Sequence, residues 1–246
     1  MPDFGTLPVP ATEAPTVDRF VTEPVAITDA TLLQVICEIG VAGQLAVLPP
    51  ALHPTSPPIA IWQLLEVRES PWGAFRLASI RVGARAATKS RSFLVHAFVD
   101  NPEAGAALRD SWGFPCVDAE VGLRVGHDRI AGWADVGGNT PFDVELEDPA
   151  PIASGSVYYA PSMNLARTPL GTRLLQVDPE YLVKTVARGR PQVRHHPGLV
   201  DDRLAPTWPI SATSATVDIT LPAIRFVCDP DLPAAQGTAT VVPAGS

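Results

Sequence analysis

His96 is the side chain whose type and setting are best suited to proton transfer in this sequence. It lies in the middle of the apolar segment SFLVHAFV, on the predicted strand face of Leu94 and Phe98. An imidazole that points into a pocket can act as a general acid or base near neutral pH. An imidazole that points into the core is an ordinary packed residue. Side chains alternate between the two faces of a strand, so the sequence leaves both the pocket and the core open as the direction of His96.

Cys116, in the segment GFPCVDAE, is the candidate nucleophile. A reactive thiol needs a lowered pKa, which a helix N-terminus or a neighbouring histidine provides. Cys116 instead follows the C-terminal end of a predicted helix, where the helix dipole disfavours a thiolate. The sequence therefore favours a packed or pocket-wall cysteine over a nucleophile, because free cysteine packs as a small hydrophobe.

The residue types that bind metals are present but badly spaced. His195 and His196 are adjacent, with Asp201 and Asp202 nearby. Neighbouring side chains of an extended segment point to opposite faces, so both imidazoles would not enter one site. The three cysteines show no paired spacing either. We predict no metal and no cofactor, and the cysteine pattern favours a reducing cytoplasm.

These candidates are positioned by short strands and one well-marked helix, because 27 Pro and 18 Gly exclude long helices from most of the chain. Asn101 as the N-cap, Pro102 at the first position and Gly113 after the last turn predict a helix over 102–112. The turn SPWG joins two strand-like segments into a predicted hairpin. Strands are predicted at 31–39, 59–67, 74–82, 92–99, 121–125, 129–136, 142–147, 172–177, 185–189, 215–221 and 224–228, with a loop over 158–171.

Composition excludes several classes of function. The formal net charge of −8 does not suit a nucleic-acid binder. No window approaches the roughly 18 apolar residues of a membrane span, and no signal peptide is visible, so we expect no membrane partner and a cytoplasmic protein. We predict an irregular arm over 1–25, one domain over 26–230 and a C-terminal tail over 231–246.

Four segments occur in the order and spacing of landmarks in one known family. Residues 101–123 run from the predicted helix through Gly-Phe-Pro into a strand. Before them, 48–52 matches a proline turn, and after them 162–177 matches a pocket-lining strand and loop and 204–222 a C-terminal loop and strand. Together they resemble the acetoacetate decarboxylase family over about residues 25–230. The resemblance implies a mostly β (α+β) fold, an antiparallel β-barrel or double-sheet cone with a central helix and an internal pocket.

The family's catalytic residues are replaced at the matching positions. Where the family has its Schiff-base lysine this chain has Cys116, and Val117 stands at the neighbouring lysine position. Trp62 and Leu77 fall near the two pocket carboxylates, and Ala30 falls near a pocket arginine. A thiol cannot form an iminium, so the resemblance implies a member that lacks the Schiff-base lysine and its decarboxylation.

The resemblance also implies a set of pocket residues and a homo-oligomer. Arg167 and Arg173 are candidate anchors for a carboxylate or enolate, with exposed ion pairing as the alternative. For each apolar member of the set, ordinary core packing is the alternative. The predicted apolar lining consists of Trp62, Leu77, Phe114, Val117 and Met163.

Three functions fit these observations. The first is a cyclase or isomerase that orients a hydrophobic, polyketide-like intermediate in an apolar pocket, with one polar group assisting. The second is a non-catalytic protein that binds a hydrophobic small molecule. The third is a lyase or hydrolase that uses Cys116 as its nucleophile.

Overall fold

The chain folds mostly into β-strands. The structure is a computed structural model that describes residues 4–7, 14–198 and 201–241. The helices are α1 (Val41–Val47), α2 (Pro102–Trp112) and α3 (Ala234–Gly237). The strands are β1 (Val25–Ile39), β2 (His53–Pro54), β3 (Ile59–Val67), β4 (Phe75–Ala86), β5 (Lys89–Val99), β6 (Cys116–Asp118), β7 (Glu120–Val125), β8 (Arg129–Val136), β9 (Asn139–Pro151), β10 (Ser162–Thr168), β11 (Gly171–Val177), β12 (Glu180–Val193), β13 (Pro206–Leu221), β14 (Phe226–Cys228) and β15 (Thr238–Thr240).

The described strands form one large sheet that is mixed and open. Its order is β15-β14-β11-β10-β5-β4-β3-β1-β13-β12-β9-β8-β7, with β2 paired to β4 and β6 paired to β5. The expected antiparallel barrel is corrected on two counts: β7 and β15 end the path without closing it, and β10 and β6 run parallel to β5. Parallel neighbours need a crossover connection, which α2 supplies between β5 and β6.

The sheet has a core on each of its two faces. Across β3, β4 and β5, the side chains of Trp62, Ile80 and His96 lie opposite one another, and we call their side of the sheet the Trp62 face. Gln63 and Ser79 are paired on the other side, with Leu77 two residues before Ser79 on β4, and we call this the Leu77 face. Each face carries its own buried apolar cluster.

Helix α2 has the bounds that its sequence predicts. The Asn101 Oδ1 accepts hydrogen bonds from the N–H groups of Glu103 (2.9 Å) and Ala104 (3.1 Å), which caps the first turn. Gly113 ends the helix at φ 67°, where glycine has no Cβ penalty. The Trp112 indole N–H donates to the carbonyl of Pro222 at 2.8 Å, so the end of α2 is fixed to the chain after β13.

Several segments depart from the sequence-based expectation. The predicted loop over 158–171 contains β10. Helix α1, whose N-cap Gly40 makes no side-chain cap, directly precedes the proline turn at 48–52 and was not predicted. In the predicted arm, Thr16 forms a bridge with Arg167, and in the predicted tail β15 pairs with β14. Among the described residues, no helix is long and apolar enough to cross a membrane.

Candidate functional site

A largely apolar cleft of about 500 Å³ lies where β5, β6 and the end of α2 meet. Most of its wall is aliphatic or aromatic, and a histidine, a cysteine and two arginines interrupt it. The lining residues are Leu7, Ala14, Pro15, Val47, Phe93, Leu94, Val95, His96, Arg109, Pro115, Cys116, Val117, Leu165 and Arg203. A cleft of this size suits a small organic molecule.

His96 lies between this cleft and a second cavity of about 280 Å³, because it lines both, as does Val117. The register of β4 against β5 shifts between the pairs Ile80–His96 and Arg81–Leu94, so β5 has an irregularity at Val95. The irregularity separates Leu94 from His96: Phe98 shares the face of His96 as expected, but Leu94 belongs to the cluster on the Leu77 face. Bulges of this kind re-aim side chains next to functional sites.

The His96 imidazole is electrically neutral near pH 7. Burial lowers its pKa below the ordinary value of 6.5, and the opposing effects of Asp201, which raises it, and Arg203, which lowers it, are smaller. Its Nε2 is buried and has no hydrogen-bond partner within the described part of the chain. A buried nitrogen without a partner is uncommon in folded proteins, and here it stays available to a ligand.

Cys116 lines the cleft as a protonated thiol. Its side chain is buried at 8% exposure and packs in the cluster of the Leu77 face. Burial raises its pKa to about 12, which the nearby Arg109 only partly offsets. A thiol in this state packs as an apolar group and is a poor nucleophile at neutral pH.

The arginines of the cleft are not the two expected from the sequence. Arg109, in the last turn of α2, donates from Nη1 to the Cys116 carbonyl at 2.9 Å. Arg203 is held by Asp201, with Nε 2.8 Å from its Oδ1. The sequence did not indicate either arginine as a cleft residue. Arg109 lies on a helix and Arg203 in a loop distant in sequence, and only the fold brings both to the cleft.

Arg167 and Arg173 do not line the described cleft. The exposed Arg167 donates from Nε to the Ala14 carbonyl at 3.1 Å and so holds the N-terminal segment against β10. Arg173 lies beside Asp229, with Nη1 3.8 Å from Oδ2. Each has a partner of its own, and the contact of Arg173 with Asp229 fits the alternative of ion pairing.

The five residues of the predicted apolar lining are not brought together in one cavity. Trp62 and Met163 are buried in the cluster of the Trp62 face. Leu77 and Phe114 are buried in that of the Leu77 face, where both line a small cavity of about 30 Å³. Val117 alone lines the cleft, with 47% exposure. The physical reason is that side chains alternate between the two faces of a strand, so residues one position apart lie on opposite faces of the sheet.

A row of buried polar side chains on the Leu77 face was not expected from the sequence. Thr213, Gln34, Gln63 and Ser79 lie directly opposite one another on β13, β1, β3 and β4. The Gln63 Nε2 donates to the Gln34 Oε1 at 3.4 Å. The signal was one polar residue in the middle of each apolar strand, which becomes visible only once the register is known.

The two lysines of the chain are both at the protein surface. Lys89 is exposed at the start of β5. Lys184 contacts Asp218 at 2.7 Å and Asp29 at 2.5 Å, and hydrogen bonds to these carboxylates raise its pKa. A Schiff-base lysine needs the opposite shift, because only the free amine attacks a carbonyl.

Comparisons with known proteins agree with this fold. The family model of acetoacetate decarboxylase matches residues 6–198. The crystal structure of acetoacetate decarboxylase from Legionella pneumophila subsp. pneumophila str. Philadelphia 1 has a TM-score of 0.74 and 20% identity, covering 89% of this chain and 91% of its own. An acetoacetate decarboxylase-like enzyme from Sphingomonas wittichii RW1 has a TM-score of 0.67 and 14% identity, covering 97% and 100%.

A further similar structure is that of the enduracididine biosynthesis enzyme MppR in complex with pyruvate. Its TM-score is 0.66 at 16% identity, and the match covers 81% of this chain and 88% of MppR. No curated protein sequence matches the chain. Because the family model covers most of its length, the chain belongs to the acetoacetate decarboxylase family.

Proposed function

We propose that the protein is a non-decarboxylating biosynthetic enzyme that isomerises or cyclises a hydrophobic, polyketide-like carbonyl compound in the cleft. One observation carries the proposal: a neutral imidazole, with an unpartnered Nε2, lies between a largely apolar cleft and a second cavity that adjoins it. His96 is thus the group placed to move a proton, and the cavities are the space in which a flexible substrate folds.

The chemistry of the family's Schiff base has no support among these residues. Cys116 stands in the cleft where the sequence resemblance puts the lysine, and a thiol forms no iminium. Lys184 is held as a cation by two carboxylates. Loss of CO2 through an iminium electron sink is therefore not part of the proposal.

The proposed isomerisation and the proposed cyclisation both begin with proton transfer to His96. The neutral Nε2 takes a proton from the carbon beside a substrate carbonyl, and the electron pair of the broken C–H bond moves onto the carbonyl oxygen. Arg109 lies in the same cleft and stabilises that negative charge. Returning the proton to a different carbon isomerises the substrate. If the enolate carbon instead bonds to a second carbonyl carbon, the ring closes, and His96 gives its proton to the new alkoxide.

The shape of the cleft also lowers the activation barrier of the reaction. Phe93, Val95, Val117 and Leu165 provide apolar walls around His96. Holding two reacting carbons at contact distance replaces a bimolecular encounter with an intramolecular step, and this effect can contribute several kcal/mol. Enzymes of biosynthesis occur on this fold, since MppR acts in enduracididine biosynthesis.

A comparison of metabolites from cells with and without the gene tests the function, followed by incubation of the accumulated compound with purified protein. We expect an isomer or a cyclised product of the same mass, or of that mass less one water, and no CO2. Borohydride should trap no adduct. Unchanged compound that remains bound would show a non-catalytic binding protein. CO2 release with a trapped lysine adduct would show Schiff-base chemistry.

A further inference from the structure

We propose that a groove between the segment before β1, the β10–β11 turn and the end of β15 binds an amphipathic organic anion, that is, an apolar chain or ring that carries one carboxylate. We call it the Arg225 groove. Its volume is about 550 Å³, within the range of roughly 300–1,000 Å³ that is typical of small-molecule sites. Among the described residues, none lines both this groove and the cleft of His96, so the inference is independent of the proposed reaction.

Three chain segments joined by backbone hydrogen bonds form the floor of the Arg225 groove. The Ile224 N–H donates to the Val21 carbonyl at 2.9 Å, and the Val241 N–H donates to the Arg225 carbonyl at 2.9 Å. Phe20, Val21 and Val241 also pack against the buried cluster of the Leu77 face, and Ile224 belongs to that cluster. The floor is therefore apolar and held in place by the core beneath it.

Leu170 adds an apolar side chain to the groove from a turn of fixed geometry. The Leu170 N–H donates to the Thr168 Oγ1 at 3.1 Å, and that hydroxyl donates to the Gly171 carbonyl at 2.8 Å. The Leu170 side chain nevertheless stays 50% exposed. Exposed apolar side chains that adjoin an apolar groove, rather than standing alone, mark binding surfaces.

Two arginines give the groove a positive charge that the described residues leave unpaired. Arg19 and Arg225 line it and are exposed, and neither guanidinium makes a hydrogen bond or an ion pair within the described part of the chain. Arg173, on β11, instead contacts Asp229 at 3.8 Å. Asp18 also lines the groove, so its three charged side chains carry one net positive charge. A ligand with a single carboxylate balances that charge.

The apolar floor and the arginines together select the class of ligand. Covering the floor with a hydrocarbon chain or ring removes apolar surface from water, and a guanidinium matches the two oxygens of a carboxylate. A small inorganic anion would leave the floor uncovered, and a neutral hydrocarbon would leave both arginines without a counter-charge. We therefore expect each of these to bind more weakly than an anion with an apolar tail.

Isothermal titration calorimetry with octanoate tests the groove. Octanoate should bind, acetate should not, and 1-octanol should bind about tenfold more weakly, because each exposed charge pair contributes a few-fold to affinity. The double variant Arg19→Gln with Arg225→Gln should weaken octanoate binding about tenfold for the same reason. The matched control, Arg68→Gln with Arg85→Gln, removes two exposed arginines outside the groove and should leave the affinity unchanged.

Two further measurements locate the bound anion. Val117→Phe obstructs the His96 cleft and should leave the arginine-dependent binding of octanoate in place. In crystals of the unaltered protein soaked in 8-bromooctanoate, anomalous density for bromine should lie in the Arg225 groove. The proposal would be overturned if octanoate did not bind at millimolar concentration, or if binding were lost in Val117→Phe but unchanged in the double arginine variant. Bromine density confined to the cleft, or a second copy of the chain that fills the groove, would also overturn it.

Discussion

The Arg109 Nη1 donates a hydrogen bond of 2.9 Å to the Cys116 carbonyl, which ties the last turn of α2 to β6. Both residues line the cleft. Within the described part of the chain no carboxylate pairs with Arg109, so its charge is directed to the cleft rather than neutralised in an ion pair. The residue that fixes the position of Cys116 is therefore also a positive charge in the cleft that His96 lines.

Arg109→Met should lower kcat by about 10²–10³, because a charge that stabilises a developing oxyanion contributes to the transition state. Arg68→Met, at an exposed position after β3, is the matched control and should leave turnover unchanged. Steady-state kinetics of both folded variants measure the difference. Equal turnover in the two variants would remove Arg109 from the proposed reaction.

The burial of the cysteines predicts that their thiols stay protonated. At pH 8, a pKa of about 12 leaves roughly one Cys116 thiol in ten thousand ionised. Burial also raises the pKa of Cys37 to about 11, and that of Cys228. A thiolate-selective reagent should modify the native protein slowly and all three cysteines after unfolding. Rapid labelling of Cys116 in the native state would support the nucleophile instead.

The depressed pKa of His96 predicts a pH-dependent stability. The unfolded chain binds the His96 proton near pH 6.5, whereas the native state binds it only at lower pH. Below pH 6.5 the unfolded state therefore holds more protons, and the free energy of unfolding falls as pH decreases towards the folded pKa. The contribution is fully present above pH 6.5. Urea unfolding between pH 5 and 8 should show this loss in the wild type and a smaller one in His96→Gln.

Val117 contributes to both cavities, so enlarging it should obstruct the substrate. Val117→Phe places a ring where the cleft and the second cavity adjoin, and we expect a KM raised about tenfold or more with the unfolding midpoint nearly unchanged. Val125→Phe, at a position on β7 with 63% exposure, is the control for adding surface aromatic area. Unchanged KM in Val117→Phe would show that substrate does not occupy this space.

Trp62→Ala separates packing from substrate contact. Trp62 has 3% exposure and lies in the core of the Trp62 face, outside the described cleft. Removing a buried tryptophan costs about 3–5 kcal/mol of stability, so a lowered unfolding midpoint should be the main effect. Turnover measured well below that midpoint should be largely retained. A loss of turnover in the folded variant would return Trp62 to the substrate-binding wall.

The sequence predicted those helices and strands that are determined by residues close together in the chain. The cap at Asn101, the proline at 102 and Gly113 define α2, and the apolar runs at 59–67 and 129–136 coincide with β3 and β8. Helix α1 was missed because it has no capping side chain and stands next to a proline-rich segment. The open edge of the sheet was missed because strand closure depends on pairings between residues distant in sequence.

The site was predictable only in part for the same reason. His96, Cys116 and Val117 are neighbours because β5 and β6 pair across the α2 crossover. The resemblance to the family indicated Cys116 and Val117, whereas His96 was a candidate from its own strand alone. The bulge at Val95 and the loop that carries Arg203 had no local signal. Trp62 shares the face of His96 but lies in the core of that face and not in the cleft, a difference that the sequence alone does not give.

The central claim is that His96 moves the proton, and the rate constant of His96→Ala tests it most directly. The substrate is the compound that accumulates without the gene, and His127→Ala, at an exposed position between β7 and β8, is the control. We predict a kcat lowered by about 10²–10⁴ in His96→Ala, an unchanged kcat in His127→Ala and substantial activity in Cys116→Ala. Full turnover in folded His96→Ala, with activity lost in Cys116→Ala, would contradict the account.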